Sequence, residues 1–241
     1  MQGPYGLEMG KACQTCRLSR GDFFCRMPAQ AMKDFQSIRT DSAYPSGAIL
    51  FIEKQAPRGV FVLCEGEIKL SITSSRGKSL ILRIVKPGEI MGLMAVFSNR
   101  PYEVTAETLR PSRVCFIRRQ EFVRFLAQYP ETYQNVAQQL SANYHTACEQ
   151  LRTVGLSATA PVKLARLLLE WSSRAEPSEL KEGVPVKLRL THEEMAECIG
   201  STRETVTRTL SEFKNRRLLA MNGCTLIIPS RTALESYASA G

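Results

Sequence analysis

Residues 190–219 decide the fold of this chain, and they read LTHEEMAECIGSTRETVTRTLSEFKNRRLL. Thr191 is followed three positions later by Glu194, a capping box that starts a helix by satisfying free backbone N–H groups. Gly200 predicts a sharp stop, because glycine enters the left-handed backbone conformation without a steric cost. The segment therefore predicts two short helices joined by a tight turn, which is the layout of a helix-turn-helix.

The second of these helices has a predicted buried face and a predicted outward face. Ser201 and Thr202 are its candidate N-caps. Val206, Leu210 and Phe213 recur at helical spacing and are expected to face the core. The side chains near the N-terminal end then point outward, at the end of a helix that a DNA major groove admits.

The outward face combines side chains that suit DNA. Arginine can donate two hydrogen bonds to guanine, and glutamate can accept one from cytosine, so an Arg-Glu pair with a second Arg one turn later suits C·G-rich steps. Threonine hydroxyls suit phosphate oxygens. The alternative is that Glu204 and Arg208 only form an i, i+4 salt bridge on a solvated helix. The predicted DNA-binding residues are Thr202, Arg203, Glu204, Thr205, Thr207 and Arg208.

The stretch STRETVTRTL, residues 201–210, resembles the recognition helix of the Crp/Fnr family of bacterial transcription regulators. In that family an Arg-Glu-x-x-x-Arg arrangement, here Arg203, Glu204 and Arg208, contacts TGTGA half-sites. Thr207 is also similar to members that bind TTGAT, so both half-sites stay open. The resemblance implies double-stranded DNA with a palindromic operator, RNA polymerase and a second copy of the chain as partners. It does not distinguish an activator from a repressor.

Residues 43–119 resemble the cyclic-nucleotide-binding-type β-barrel of the same family. A PGE turn at residues 87–89 is typical of it. The predicted strands are residues 49–52, 60–63, 68–73 and 80–85. The predicted glycine turns are at Gly47, Gly59, Gly66, Gly77 and Gly88. The expected fold class is α+β, with an N-terminal barrel of the jelly-roll type, a long dimerisation helix and a C-terminal winged helix-turn-helix.

The helix between the barrel and the helix-turn-helix carries apolar residues at alternating spacings of three and four, which predicts a coiled-coil seam. The alternative is a helix packed on its own barrel. The predicted seam consists of Ala137, Leu140, Tyr144, Ala147, Leu151 and Val154. The expected domains are residues 1–129 with the cysteine segment and barrel, 130–155 with the dimerisation helix, and 156–241 with the DNA-binding part.

Shorter patterns subdivide the C-terminal part. Residues 155–160 are expected to be a hinge, and Pro161 can begin the next helix because proline suits the first helical turn. Residues 176–186 are polar and contain two prolines and a glycine, which predicts a loop. Residues 218–229 resemble the closing β-hairpin, or wing, of the family.

The resemblance also bears on the effector. Relatives that bind cyclic AMP hold its phosphate with a Glu after the glycine of a short helix and with an Arg-Ser pair further on. Here Gly92 is followed by Leu93, and the Arg-Ser pair falls on Glu103 and Val104. A carboxylate at that place repels a phosphate. We therefore expect no cyclic AMP binding.

Three of the eight cysteines cluster near the N-terminus, and a CxxC pair with a third thiolate can hold an iron-sulfur cluster or zinc. FNR-type oxygen sensors use such a trio with a cysteine on a late barrel strand, which Cys115 matches. Eight residues separate Cys16 from Cys25, where the best-known FNR pattern has five. The resemblance implies a 4Fe-4S cluster that senses oxygen, nitric oxide or redox state. Its predicted ligands are Cys13, Cys16, Cys25 and Cys115.

Three other hypotheses for the cysteines stay open: a zinc site, thiol redox switching, or no site at all. Haem is disfavoured, because the histidines fall in the dimer helix, at His145, and beside a helix cap, at His192. The remaining cysteines fall in strand or helix patterns and are expected to pack in the structure. They are Cys64, Cys148, Cys198 and Cys224.

Charge adds little to the case for DNA. The net charge is +9, but residues 1–155 contain 20 basic and 13 acidic residues, against 12 and 10 in residues 156–241. The local run Lys214, Arg216 and Arg217 is expected to lie near the DNA backbone. Without a membrane span, an export signal or a catalytic set, we expect a cytoplasmic protein that is not an enzyme. A barrel that binds a ligand but no DNA is the alternative from a different class.

Overall fold

The computed structural model describes residues 3–10, 26–156, 159–172, 184–186, 190–222 and 225–239 of the 241-residue chain. The chain forms two compact units, residues 1–77 with 82–147 and residues 78–81 with 148–241. Its helices are α1 (Ala29–Ile38), α2 (Leu93–Ser98), α3 (Arg119–Gln128), α4 (Thr132–Leu151), α5 (Ala160–Ser172), α6 (His192–Ile199), α7 (Arg203–Asn215) and α8 (Arg231–Ser239). Its strands are β1 (Thr40–Tyr44), β2 (Ile49–Phe51), β3 (Gly59–Glu65), β4 (Ile68–Thr73), β5 (Ser79–Val85), β6 (Ile90–Met91), β7 (Thr105–Thr108), β8 (Ser112–Arg118), β9 (Val184–Val186), β10 (Ala220–Asn222) and β11 (Thr225–Ile228).

Two four-stranded sheets form the barrel. One has the strand order β1-β8-β3-β6 and the other the order β2-β7-β4-β5. Buried side chains from both sheets fill the interior, and aromatic rings are prominent among them. The Phe51 and Tyr102 rings stack with centroids 4.2 Å apart, and Phe51 and Phe61 lie 5.3 Å apart. The interior is therefore packed with side chains, in the manner of a small barrel.

The outer face of the first sheet is covered by helices. Phe35 of α1 and Phe125 of α3 pack with ring centroids 5.4 Å apart, and Val136 of α4 joins the same buried cluster. β8 lies between β1 and β3, so Cys115 is paired with Asp41 on one side and Val62 on the other. The register thus directs the Cys115 side chain to the face that the helices cover.

Most of the predicted turns are confirmed. The glycines at positions 47, 66, 77 and 88 have positive φ, and the PGE turn closes with Glu89 N–H donating to Lys86 O. The predicted turn at Gly59 is wrong. Gly59 begins β3 and is buried, and a Cβ there would lie 2.0 Å from Ile117 O. The close approach of two strands, rather than a turn, requires glycine at this position.

The long helix starts and ends differently from the prediction. α4 begins at Thr132 rather than Pro130, after a turn in which Thr132 N–H donates to Tyr129 O. The helical backbone then continues through Gly155 as a π turn, Arg152–Leu156. The start of the predicted hinge is therefore helical, and α5 already begins at Ala160, one residue before Pro161.

The second unit contains the predicted winged helix-turn-helix. The hairpin of β10 and β11 is confirmed, and β9 adds a third antiparallel strand to it. The prediction of a loop over residues 176–186 is wrong at its end, because that is where β9 lies. Its Val-Pro-Val sequence is too short for a periodic signal, and pairing with β11 decides its structure. Most of that loop lies outside the described residues.

Candidate nucleic-acid interface and cysteine cluster

The turn between α6 and α7 is built by local hydrogen bonds. Thr191 N–H donates to Glu194 Oε2 at 2.8 Å, and Glu194 N–H donates to Thr191 Oγ1 at 3.2 Å, which completes the predicted capping box. Gly200 ends α6 with φ 65° and ψ 36°, the left-handed conformation expected of a glycine C-cap. The entry and exit of α6 are thereby fixed, and with them the direction in which α7 leaves.

One face of α7 is anchored in the core of the second unit. Val206, Leu210 and Phe213 are all buried as predicted, and the Phe213 ring meets Tyr237 of α8 edge-on at 5.1 Å. This burial fixes the rotation of α7 about its axis. The side chains that it leaves exposed at the N-terminal end are Arg203, Glu204, Thr207 and Arg208.

Glu204 and Arg208 do not neutralise each other in the part of the chain that the structure describes. Among those residues, the ion pair on α7 and its C-cap joins Arg216 to Glu212 at 2.8 Å. It does not involve Arg208 or Glu204. Arg216 also lies over the Tyr237 ring, 5.7 Å from its centroid. The two outward-facing arginines are thus more available to a ligand than Arg216, which is held against its own domain.

Threonines organise the start of α7. Thr202, rather than Ser201, is the N-cap and accepts a hydrogen bond from Thr205 N–H at 3.3 Å. The Thr207 hydroxyl donates to Arg203 O at 2.9 Å and lies 2.8 Å from His192 Nδ1. Because the hydroxyl has only one proton, His192 Nδ1–H is the donor in that second contact. The sequence did not assign His192 to this site, because fifteen residues separate it from Thr207.

The basic run at the C-terminal end of α7 is exposed at Lys214, Arg216 and Arg217. Arg217 has φ +56°, the left-handed conformation that side chains other than glycine rarely adopt. It ends α7 by turning the chain into the wing, and its N–H donates to Lys214 O at 3.0 Å. Arg217 therefore combines a positive charge with an unfavourable backbone conformation.

Of the four predicted cluster ligands, Cys13, Cys16 and Cys25 lie outside the described residues. Cys115 lies on β8 and is 1% exposed. Its Sγ is 3.0 Å from Cys64 Sγ and donates to Asp41 Oδ1 at 2.8 Å. Arg39 Nη1 donates to Cys115 Sγ at 3.4 Å. The structure thus places a second thiol, Cys64, beside the predicted ligand.

The two thiols titrate differently because they share one contact. The contact with Cys115 lowers the pKa of Cys64, and the charge of Arg113 acts in the same direction against the effect of burial. For Cys115, the contact with Cys64 raises the pKa, and burial raises it further. Cys64 is therefore the more acidic thiol of the pair.

Two arginines surround the carboxylate beside this pair. Asp41 Oδ2 lies 3.1 Å from Arg39 Nη2 and 3.8 Å from Arg113 Nη1, and both arginine side chains are largely buried. Arg113 Nε has no hydrogen-bond acceptor among the described residues. Together, Arg39, Asp41, Cys64, Arg113 and Cys115 form what we call the cysteine cluster.

The remaining cysteines and histidines behave partly as expected. Cys198 is buried, which confirms the prediction that it packs, whereas Cys148 is only half-buried. The prediction that Cys64 packs in the structure did not include its contact with Cys115. His145 is exposed on α4. Cys224 lies outside the described residues.

The positions that correspond to the phosphate ligands of cyclic AMP binders are placed as follows. Leu93 is 2% exposed and packs in the cluster beneath α1 and α3, so its side chain is part of the core. Glu103 is exposed, and Val104 packs against the barrel interior. None of these three side chains can donate a hydrogen bond to a phosphate.

The two faces of α4 differ. Val136 and Gln139 are buried on the side toward the barrel. Ala137 and Ala147 are exposed, as are Tyr144 at 74% and Leu151 at 71%. Leu140 and Val154 of the predicted seam are only partly buried. The helix thus packs on its own barrel through one face and leaves most of the predicted seam exposed on another.

A barrel joined through a long helix to a winged helix-turn-helix defines a class of DNA-binding transcription regulator. Two family models match the chain, one described as a cyclic nucleotide-binding domain over residues 42–129 and one as a Crp-like helix-turn-helix domain over residues 162–237. The chain belongs to the Crp/Fnr family of transcriptional regulators. The expected family and fold class are thereby confirmed.

Individual relatives agree with this assignment. The nitrogen fixation regulation protein FixK of Bradyrhizobium diazoefficiens is 23% identical over 234 residues, which is 96% of this chain and 95% of FixK. A CRP-like cAMP-activated global transcriptional regulator of Mycobacterium tuberculosis is 24% identical over 195 residues, covering 81% of this chain and 86% of the relative. The structure of FixK2 from Bradyrhizobium japonicum superposes with a TM-score of 0.72 at 20% identity, over 83% of this chain and 96% of FixK2.

The named relatives are transcription regulators rather than enzymes, in agreement with the expectation for this chain. Across the described residues, none of the helices is both long enough and apolar enough to span a membrane.

Proposed function

We propose that this transcription regulator binds a palindromic operator as a homodimer and contacts bases through Arg203, Glu204 and Arg208. The observation that carries this proposal is that burial of the opposite face of α7 leaves these three side chains exposed at its N-terminal end. An exposed Arg-Glu-x-x-x-Arg set suits direct readout in a major groove. Thr202 and Thr205 are assigned to the phosphate backbone.

Binding to labelled duplexes tests this function. Palindromes of TGTGA and TTGAT half-sites, and a scrambled duplex, are titrated at several salt concentrations, since affinities at one salt concentration cannot be interpreted. We expect tight binding to one palindrome and at least a thousandfold weaker binding to the scrambled duplex. Equal affinity for all three duplexes would contradict sequence-specific binding. It would favour the alternative class, a barrel that binds a ligand and has no DNA target.

The homodimer is assigned to the exposed face of α4. Tyr144 and Leu151 lie there largely exposed, and an exposed apolar patch commonly marks a surface that binds a partner. Placing a charge in that seam should dissociate the dimer. We therefore expect Tyr144→Glu to halve the mass measured by light scattering, whereas Gln138→Glu, exposed on another face of α4, should leave it unchanged.

For the signal, we propose a 4Fe-4S cluster held by Cys13, Cys16, Cys25 and Cys115, which would supply reactivity toward oxygen or nitric oxide. The position of Cys115 supports its assignment as a cluster ligand. Cys115 lies on the barrel face that α1 covers, and α1 begins four residues after Cys25. The Arg39 N–H that reaches Cys115 Sγ would also suit a thiolate ligand. Zinc or thiol redox switching at these cysteines is the competing assignment.

Anaerobic purification followed by iron, sulfide and zinc analysis tests the signal. Iron and sulfide in about equal amounts, with operator binding that falls after exposure to air, would support the cluster. A colourless protein that contains no metal and binds its operator equally well with and without oxygen would overturn it. Stoichiometric zinc would favour the competing assignment.

A small effector in the barrel is the second candidate, because one relative is by name cAMP-activated. For this chain we propose no cyclic AMP response, since Leu93 is part of the core and Glu103 carries a negative charge. Isothermal titration with cyclic AMP should therefore release no heat. We further propose that DNA binding alters access of RNA polymerase to the promoter and that the protein acts in the cytoplasm.

A further inference from the structure

We propose that Cys64 and Cys115 form a reversible disulfide when the metal-free protein meets a peroxide. The bond itself does not depend on the function proposed above. Only its consequence does: a Cys115 bound to Cys64 cannot ligate an iron-sulfur cluster. The cysteine cluster would then be a modification site on the barrel, separate from the three N-terminal cysteines.

The geometry of the two strands brings the sulfurs together. β3 and β8 are adjacent and antiparallel, and Cys115 is paired with Val62, two residues before Cys64 on β3. Val62 and Cys64 lie on the same face of β3 as Cys115 of β8, and the register shifts beside Cys64, between Leu63 and Glu65. The two Sγ atoms lie 3.0 Å apart. A disulfide requires an approach of about 1 Å more, which side-chain rotation can supply.

The surroundings of the pair assign separate roles to the two sulfurs. Cys64 is partly exposed whereas Cys115 is 1% exposed, so a small oxidant reaches Cys64 first. Asp41 Oδ1 accepts a hydrogen bond from Cys115 Sγ at 2.8 Å, which holds the buried thiol in place beside Cys64. The guanidinium of Arg39 also contacts Cys115 Sγ at 3.4 Å, so the buried sulfur is held on two sides while Cys64 keeps its access to solvent.

The reaction balances with hydrogen peroxide as the oxidant. The Cys64 thiolate attacks one peroxide oxygen, the O–O bond breaks, and Cys64 becomes a sulfenic acid while hydroxide leaves. The Cys115 sulfur attacks the Cys64 sulfur. The S–S bond forms as the S–O bond breaks, and the departing hydroxide takes the Cys115 proton and leaves as water. In sum, two thiols lose two electrons and two protons, and one peroxide becomes two waters.

Peptide mapping of the metal-free protein tests the bond. The protein is freed of metal by chelation, treated with an equimolar amount of hydrogen peroxide, and then unfolded in denaturant so that N-ethylmaleimide blocks every remaining thiol, including buried ones. Trypsin then releases Cys64 in residues 59–69 and Cys115 in residues 114–118. We expect a linked pair of these two peptides, lighter by two hydrogens than their sum, which disappears after dithiothreitol.

Variants separate this bond from other cysteine chemistry. Cys64→Ser should abolish the linked pair and leave Cys115 alkylated, while Cys148→Ser, which removes a half-buried cysteine elsewhere, should keep the pair at the wild-type yield. Circular dichroism of the reduced variants checks that both fold.

Recovery of Cys64 and Cys115 as alkylated thiols after the peroxide is consumed, or a link from Cys115 to Cys13, Cys16 or Cys25, would overturn the proposal. Iron analysis of anaerobically purified protein is a separate measurement, so the cluster and the disulfide can fail independently.

Discussion

The helix-turn-helix and the cysteine cluster are built in opposite ways. Thr191, Gly200 and Thr202 act through contacts within one short stretch of chain, and each follows a local rule of capping or turning. The cysteine cluster joins Arg39 to Cys115 across 76 positions and Cys64 to Cys115 across 51. The comparison shows that the DNA-binding surface depends on local sequence, whereas the cluster depends on the register of three strands.

This difference has an energetic side. In the helix-turn-helix, burial fixes the orientation of exposed charges that cost little to keep in water. In the cysteine cluster, charged groups lie inside the protein, so each is held only by its partners. Loss of one group should therefore be costly in the cluster and mild on the exposed face of α7.

The largest effect is expected for Asp41→Ala. The change leaves Arg39 and Arg113 largely buried without their carboxylate, and breaking such a pair costs about 3–5 kcal/mol. Urea unfolding followed by circular dichroism measures the loss in the first compact unit. The only tryptophan, Trp171, belongs to the second unit, so its fluorescence should report an unchanged transition there.

Glu107→Ala is the matched control, because Glu107 makes a more exposed ion pair with Lys69 at 3.4 Å. Pairs near the surface contribute about 0–1 kcal/mol. If Asp41→Ala cost no more than Glu107→Ala, the contrast between a buried cluster of charges and more exposed charges would be lost.

The next effect in size concerns Arg208→Ala and DNA. Loss of one base-contacting arginine should cost about 1–3 kcal/mol at the specific operator and relax base preference at one position. Lys214→Ala, in the basic run, should instead weaken binding to every duplex equally and reduce the salt dependence. Titrations of operator and scrambled duplexes by fluorescence anisotropy compare the two variants. A uniform loss for Arg208→Ala would make it a phosphate contact and remove it from base readout.

Thr191→Ala should have an effect of about 1 kcal/mol on the stability of the second unit. The change removes the hydroxyl that accepts from Glu194 N–H, and caps of this kind contribute about that much. Urea unfolding followed by Trp171 fluorescence measures it. Thr191→Ser keeps the hydroxyl and serves as the control. A loss in the first unit, detected by circular dichroism, would contradict the local character of this site.

The sequence predicted the helix-turn-helix almost to the residue, because the residues that cap, end and bury its helices lie close together in the chain. Three features could not be predicted in this way. Gly59 marks a close approach to Ile117 rather than a turn, β9 exists only through its pairing with β11, and Cys64 meets Cys115 only because β3 pairs with β8. Each depends on a strand that is distant in the chain.

The smallest effect is expected for Arg217→Gly, where local backbone and charge oppose each other. Arg217 has φ +56°, so glycine should relieve strain at the end of α7, while the greater freedom of glycine in the unfolded chain offsets part of the gain. We expect stability to rise by about 0–1 kcal/mol in Trp171-detected unfolding. DNA binding should weaken equally on all duplexes, because one exposed positive charge is lost. Arg217→Asn, which tolerates the same conformation and also removes the charge, should reproduce the weaker binding with a smaller gain in stability. If Arg217→Gly lost affinity only at the operator, the wing side of α7 would also read sequence, and base recognition would extend beyond the N-terminal end of the helix.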